Sequence, residues 1–341
     1  MHKTVRMRVG GPLIRMAPVG IIGVGSYVPP HEMSNDDWSE IVDTSDEWIT
    51  TKTGMKKRRI ADPSTCTSDL AVEACRVALE NSGLTASDID LIILATSSPD
   101  VPMSSTAGIV QDKLGCSDCV AFDINAVCAG WVHALDIGSR FAGTAGYENV
   151  LVVGSEVYSR ILNWKDRSTC VLFGDGAGAV VLSQVPEGKG IIGSWMMSDG
   201  SGSSVIEIPA GGVRTPIPSE GFKEGMQYFH MDGRAVWDFA IEAFPQAVLS
   251  VLERYGKTID EVDLILPHQA NINIIEKGME KLGLPMDRAF TNLHKYGNTA
   301  GASVPIAMHE AFEEMKIVEG DLVVTVAFGG GLAWGANLIQ F

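Results

Sequence analysis

The sequence predicts an α/β protein built from two copies of one unit, on three observations. Ser87-Asp88-Ile89-Asp90-Leu91-Ile92-Ile93-Leu94 matches Asp260-Glu261-Val262-Asp263-Leu264-Ile265-Leu266, and each follows an amphipathic helical stretch that ends near a glycine. Both apolar runs have the near-continuous character of parallel strands buried on two faces after a crossover helix. Each copy then closes with a glycine-rich turn and a final strand, at residues 174–182 and 329–339.

The elements follow in order. Residues 19–25 form an apolar β-run closed by glycines. Its Gly23-Val24-Gly25 looks like half of a dinucleotide fingerprint, but Tyr27-Val28-Pro29-Pro30 stands where a helix should open, which argues against a Rossmann site. After the matched strands, residues 122–130 correspond to 290–301, and Glu148-Asn149-Val150-Leu151-Val152-Val153 corresponds to residues 320–326. The joint falls near residues 186–190, giving halves at 19–185 and 186–341. Residues 198–229, rich in Gly, Ser and Pro, are expected to be loops and short strands over a site entrance.

Residues 1–18 hold Lys3, Arg6, Arg8 and Arg15 and no acid; they are expected to be a disordered extension, with Met16 a candidate start. The segment is short and lacks serine, unlike a transit peptide. Removal of residues 1–15 is expected to leave activity intact.

Composition excludes several functions. With 45% hydrophobic and 20% charged residues the chain is an ordinary globular protein, and its net charge of -16 argues against nucleic acid, whose phosphates need clustered cations. No uninterrupted apolar run reaches the ~18 residues of a membrane span, and no secretory signal is evident, so a cytoplasmic protein is expected. The cysteines, Cys66, Cys75, Cys116, Cys119, Cys128 and Cys170, do not make a disulfide framework in a chain this long. Cys116 and Cys119 have metal-knuckle spacing without a second pair, so no metal is expected. Lys56-Lys57-Arg58-Arg59, the one dense basic run, is either a solvated patch or an aid to attracting a phosphate-bearing substrate.

Cys128 carries the chemistry. It ends the strand-like run from Phe122, is flanked by small residues and precedes a helical pattern (Trp131, Leu135, Ile137, Phe141), an elbow at which a helix dipole stabilises a thiolate. A lone buried cysteine is ordinarily a small core hydrophobe. Here His268 follows the strand of the second copy, and Asn298 falls near the position equivalent to Cys128. Three useful groups thus occupy carboxyl ends of strands around a pseudo-two-fold axis, where α/β sheets place ligands. A cysteine forms thioesters readily, and an imidazole beside an amide offers two donors to one substrate oxygen. Papain-like proteases use the same residue types, but there the asparagine orients the histidine and the fold lacks this duplication.

The blocks TSDEWI, GDGAGA, PHQAN, YGNTAGAS and AFGGGLAWGANLIQF, in this order and spacing, resemble the thiolase-fold condensing enzymes, most of all β-ketoacyl-[acyl-carrier-protein] synthase III. The resemblance runs from about Val19 to Phe341 and implies a five-layer αβαβα fold and a homodimer. It also implies a reaction. Cys128 takes an acyl group from acyl-CoA, malonyl-[acyl-carrier protein] loses CO2, and the carbanion attacks the Cys128 thioester to give a 3-oxoacyl-carrier protein. His268 and Asn298 would hold the developing enolate, and the backbone N–H groups of Cys128 and Gly330 would form a second oxyanion hole. CoA would meet Trp48, Lys52, Thr53, Arg167, Trp237, Ala270 and Asn271, as substrate rather than cofactor. Gln269 and Asn273 would dock the carrier, and Met103, reaching across the dimer, would close the acyl pocket with Phe328.

A degradative thiolase would need a second active cysteine near the C-terminus, and Cys170 is the last one; an elongating synthase would have histidine in place of Asn298. Lys52 stands where arginine is common, Asp238 where a lysine and Asn273 where an arginine would help dock the acidic carrier. Either another patch, such as Arg234 with Lys277 and Lys281, meets the carrier, or the partner is unusual. Met103 in place of a phenylalanine would admit longer or branched primers. The alternatives are a specialised homologue acting in secondary metabolism or on a non-carrier acceptor, and a catalytically silent dimer partner.

Overall fold

The computed structural model describes residues 17–341. The expected extension lies outside these residues up to residue 16, and the Pro18 carbonyl already accepts the Val185 N–H at 2.9 Å. The chain runs β1 (Val19–Tyr27), β2 (Glu32–Ser34), α1 (Asn35–Ser39), α2 (Asp46–Thr53), β3 (Lys57–Arg59), α3 (Thr67–Ser82), β4 (Leu91–Ala95), α4 (Thr106–Leu114), β5 (Val120–Ile124), α5 (Gly130–Ala142), β6 (Val150–Glu156) and β7 (Gly176–Gln184). It continues with β8 (Gly190–Ser198), β9 (Ile206–Glu207), β10 (His230–Met231), α6 (Gly233–Arg254), β11 (Leu264–Pro267), α7 (Ile272–Leu282), α8 (Leu293–Tyr296), α9 (Ser303–Glu313), β12 (Leu322–Gly329) and β13 (Ala333–Gln340).

The two large sheets have strand orders β1-β7-β6-β4-β5 and β11-β12-β13-β8. Within the first, β4 is parallel to β5 and β6, while β7 is antiparallel to β6 and β1. The second repeats this: β11 is parallel to β12, and β13 is antiparallel to β12 and β8. The duplication in sequence is therefore a duplication in space.

Packing makes five layers. Along β4, Leu91, Ile93 and Ala95 face the central core while Ile92 and Leu94 face the outer one, so both faces are apolar and no polar alternation shows in the sequence. Helices α5 and α9 lie between the sheets, α3 and α4 cover the outside of the first, and α6 and α7 the outside of the second. This is the αβαβα order that the resemblance implied.

Helix α6 is long and apolar enough to cross a bilayer by composition alone. Its Ala240, Phe244, Val248 and Leu252, spaced four apart, are instead buried against β12, β13 and α7, and Arg234, Asp238 and Glu242 line a more exposed face. It is a core helix.

Two details depart from the sequence reading. Gly23 and Gly25 serve helix packing: a Cβ at either would lie 2.3 Å from the backbone of Ala78 on α3. The counterpart of β5 in the second half is reduced to one parallel bridge, Ile265 to Ala289. There the buried Gln269 side chain replaces ladder bonds, donating to the carbonyls of Pro267 and Phe290 and accepting from the N–H groups of Asn292 and Leu293.

Candidate active site

Cys128 lies in a 3₁₀ turn, Val127–Ala129, between β5 and the first residue of α5. The turn is strained: Val127, β-branched, holds φ at 49°. Ala300, two residues after Asn298, holds φ at 45° in the corresponding segment of the second copy. Each half thus has a tight elbow that presents one reactive group.

His268 comes directly after β11 and is 1% exposed. Its Nδ1 lies 2.6 Å from Ser303 Oγ, and that oxygen also accepts the Gln269 N–H at 3.4 Å. Where Ser303 donates to Nδ1, the imidazole proton is on Nε2. Burial pulls the pKa down from 6.5 to about 3, so the ring is neutral. Asn298 is fixed in a similar way. Its Oδ1 accepts the Ala300 N–H at 2.8 Å, its backbone bridges to the 172–174 segment, and its Nδ2 is left as the free end of the amide.

The three side chains line one cavity of about 460 Å³ with Trp48, Lys52, Thr53, Trp237, Ala270, Asn271, Phe328 and Gly329. Near Cys128 its wall is apolar, with Phe173 and Phe229 lining it and packing in one buried cluster with Tyr158, Leu162 and Ala300. The entrance segment contributes Ile206 and Phe229, and Met231, paired with Ile206 in the small β9–β10 ribbon, joins them.

The expectation of a stabilised thiolate is corrected. Burial first, and then the charge of Glu156, push the Cys128 thiol well above its ordinary range. A helix end acts on partly exposed groups within a turn; full desolvation of a sulfur anion outweighs it.

The comparisons with known proteins identify the family. Family models match at residues 122–200 (3-oxoacyl-[acyl-carrier-protein] synthase III) and 252–341 (its C-terminal part). A β-ketoacyl-[acyl-carrier-protein] synthase III of Caldanaerobacter subterraneus subsp. tengcongensis is 49% identical over 322 residues, covering 94% of this chain and 97% of that protein. The chain belongs to the β-ketoacyl-[acyl-carrier-protein] synthase III family. Among solved structures, the synthase III of Aquifex aeolicus superposes with a TM-score of 0.87 at 43% identity, covering 95% of this chain and 100% of that one. That of Thermus thermophilus gives 0.89 at 39%, covering 94% and 99%. As a synthase III the chain is an acyltransferase-type condensing enzyme of fatty acid biosynthesis.

For the remaining residues of this synthase III the structure is specific. The Arg167 guanidinium lies over Trp48, 5.5 Å from the ring centroid, and its Nη1 donates to the Asp43 carbonyl at 2.6 Å. Cation and ring touch each other, so a flat base would stack on the outer face of one or part the two. Thr53 donates to the Ile49 carbonyl at 2.6 Å, and Asn271 caps α7 while donating to the Lys52 carbonyl at 2.9 Å. Met103 stands apart from the cavity, 88% exposed on the surface of the chain.

One expectation is corrected. Gln269, expected to dock a carrier, is 1% exposed and its amide is fully engaged inside the protein, so it cannot touch a partner. Asn273 remains at the rim, with its side chain donating to the Lys52 carbonyl at 2.8 Å. Of the suggested basic patch, Arg234 pairs with Asp238 at 2.9 Å, Lys277 with Glu280 at 2.7 Å, and Lys281 with Glu242, all as surface pairs. In the basic run, Arg58 is fully buried against the Val171 carbonyl and Asn35, Lys57 and Arg59 both pair with Glu32, and Lys56 is exposed.

Sequence reasoning missed Gly329. A Cβ there would lie 2.8 Å from Cys128 Cβ and 3.0 Å from its backbone nitrogen, so glycine is what lets β12 approach the nucleophile. The β12–β13 ladder ends at the pair Gly329 and Ala333, which leaves Gly330 in the turn beside Val127 and Ile206. The glycine triplet was the available signal. It also missed Glu156, a fully buried carboxyl behind Cys128. Its signal was an acid at the end of the apolar run of β6.

Proposed function

We propose that this protein catalyses the decarboxylative condensation of an acyl-CoA primer with malonyl-[acyl-carrier protein], releasing CoA and CO2 and initiating fatty acid synthesis. One observation carries the reading: His268 and Asn298 each have one polar end fixed by a neighbour, which leaves two neutral donors facing the cavity that holds Cys128. Cys128 sulfur forms the thioester with the primer, and the thiol proton leaves with the CoA sulfur. The malonyl thioester oxygen then meets Nε2–H of His268 and Nδ2–H of Asn298, and both bonds strengthen as enolate charge develops. CO2 departs, the enolate carbon attacks the acyl carbonyl, and the N–H groups of Cys128 and Gly330 receive the oxyanion. Cys128 leaves as the thiolate, which takes up one proton from solvent to restore the thiol, and the 3-oxoacyl-carrier protein is released.

Neutral donors suit this chemistry, since no step needs a proton delivered to the enolate. The CoA arm follows Trp237, Ala270, Asn271 and Thr53 towards Lys52, Trp48 and Arg167. The carrier approaches Asn273 at the rim through a docking face that has little free positive charge. The enzyme acts as a cytoplasmic homodimer, without metal or added cofactor, and Met103 of one protomer completes the acyl pocket of the other alongside Phe328. Two halves, at 19–185 and 186–341, supply the nucleophile and the two donors respectively.

The test is mass spectrometry of the Cys128 peptide after exposure to a panel of acyl-CoAs, followed by a chase with malonyl-carrier protein. Acylation of Cys128 with release of CO2 in the chase is expected. An acylated Cys128 that a non-carrier acceptor discharges, with no CO2 released, would replace this reading with the specialised one.

A further inference from the structure

A buried arginine outside the cavity joins the segment that carries Asn298 to the helix that carries Trp48, Lys52 and Thr53. Arg58, the middle residue of β3, is fully buried. Its Nε donates to the Val171 carbonyl at 2.8 Å, its Nη2 donates to the same oxygen, and its Nη1 donates to Asn35 Oδ1. Both acceptors are neutral, and among the described residues no carboxylate pairs with it. Desolvation pulls its pKa down to about 10, so the guanidinium is still charged at neutral pH. An apolar side chain would fill this space without the desolvation of a charge, but it could not hold two segments with a rigid fork of donors.

The first of those segments begins at Val171. The Leu172 carbonyl accepts the Asn298 N–H at 2.9 Å, the Asn298 carbonyl accepts the Gly174 N–H at 3.0 Å, and Phe173 and Asn298 form a parallel bridge. The Arg58 stem packs against both flanks of this bridge: a Cβ on Gly297 would lie 2.9 Å from Arg58 Cγ, and one on Gly174 would lie 3.2 Å from Arg58 Cβ. The residue just before Asn298 therefore rests on the arginine. The second segment is α2. Asn35, 1% exposed, accepts from Arg58 and donates through Nδ2 to Asp46 Oδ1 and to the Met55 carbonyl, each at 2.8 Å. Asp46 opens α2, and Met55 follows its glycine cap, so both ends of the helix are held by one amide.

We propose that Arg58 is a positioning residue for Asn298: its fork, braced by Asn35 against α2, fixes the 171–174 strip and so where the Asn298 amide meets the malonyl thioester oxygen. The proposal rests on Asn298 being a donor to that oxygen, as in the condensation above. Arg58 itself does not line the cavity, and it acts through the backbone to which Asn298 is bonded. Decarboxylation is the step that needs this amide in place. The side chain of Asn298 is set from the other direction by the Ala300 N–H, so the amide is located only when strip and elbow are both held.

The experiment is a double-mutant cycle on the rate of CO2 release from malonyl-carrier protein by the acylated enzyme, in the parent, Arg58→Lys, Asn298→Ala and the double variant. Lysine keeps the charge and loses the fork. Arg58→Lys should slow CO2 release about tenfold or more, since a misplacement of about 1 Å at a catalytic group costs up to about 10² in rate. In the Asn298→Ala background the same substitution should change the rate by about twofold at most, because the group through which it acts is gone. Circular dichroism and thermal unfolding report whether each variant is folded. Equal factors in the two backgrounds, the mark of a merely structural role, overturn the proposal, and so does a folded Arg58→Lys that releases CO2 at the parent rate. If Arg58→Lys does not fold, Asn35→Ala, which removes the brace on Nη1, goes through the same cycle and is read in the same way. Failure of the condensation reading shows separately, as an Asn298→Ala single variant that releases CO2 at the parent rate, and it would remove this proposal with it.

Discussion

The His268→Gln substitution should flatten the acid limb of the stability curve. His268 is 1% exposed, touches Ser303 through Nδ1 at 2.6 Å and packs edge-on against Phe328 with centroids 5.5 Å apart. No carboxylate lies beside it to favour an imidazolium, so burial alone sets the shift, from 6.5 down to about 3. In the unfolded chain the ring binds a proton near pH 6.5; in the fold it does not until near pH 3. The unfolded state therefore holds more protons across that window. Stability is complete above pH 6.5 and falls as pH drops towards 3. The limiting slope for one group is about 1.4 kcal/mol per pH unit, reached only well below pH 6.5, so His268 should account for roughly 2 kcal/mol of the loss between pH 6.5 and 4.5.

Urea unfolding followed by circular dichroism at pH 4.5, 5.5, 6.5 and 7.5 measures this. The parent should lose roughly 3 kcal/mol more than His268→Gln over the full range from pH 7.5 to 4.5, whatever the offset between the two at pH 7.5. His294 and His309, which burial also pulls down, remain in both proteins and cancel in the difference. Parallel curves would show that the ring is charged in the fold or solvated. The neutral-donor assignment would then fall, and with it the account of the enolate site.

Asn298→Ala should leave acylation of Cys128 intact while slowing release of CO2 from malonyl-carrier protein by about 10²–10³, the typical effect of losing one oxyanion donor; equal losses in both steps would contradict the division of labour. Gly329→Ala should lower the thermal midpoint and impair acylation, because its Cβ meets Cys128 at 2.8 Å and such overpacking costs about 1–3 kcal/mol; calorimetry with the acylation assay decides. Met103→Phe should narrow primer choice, with the preference for longer over acetyl primers falling about tenfold in competition acylation, and no change would remove Met103 from the pocket.

The parts of this protein that were legible in the sequence are those whose signal is local. Paired apolar runs and closing glycines gave the duplicated sheets, and a cysteine, a histidine and an asparagine at strand ends gave the site. Signals that depend on burial were not local. Gln269 and Arg58 are surface residue types placed in the interior, where a side chain fills an interrupted sheet edge and a guanidinium caps loop carbonyls. The state of Cys128 was misjudged for the same reason: the elbow was visible, but the depth at which it lies was not, and depth controls a thiol more strongly than a helix end does.

The two elbows make the duplication itself part of the chemistry. Val127 and Ala300 occupy matching segments and both hold positive φ, which for side chains of these types costs of order 1–3 kcal/mol each. A fold can retain that strain twice only where packing over-determines it. Gly301 sits between Glu156 Oε1 and the Val127 carbonyl, and a Cβ on Gly154 of β6 would lie 2.5 Å from the Gly301 carbonyl, so the elbows brace each other across the pseudo-two-fold axis through glycines. One presents a nucleophile, and the other an amide whose orientation is set by the N–H of its own strained residue. Enlarging Gly154 or Gly301 should therefore disturb thiol and amide together, whereas Asn298→Ala disturbs the amide alone; acylation and decarboxylation rates measured side by side separate the two cases.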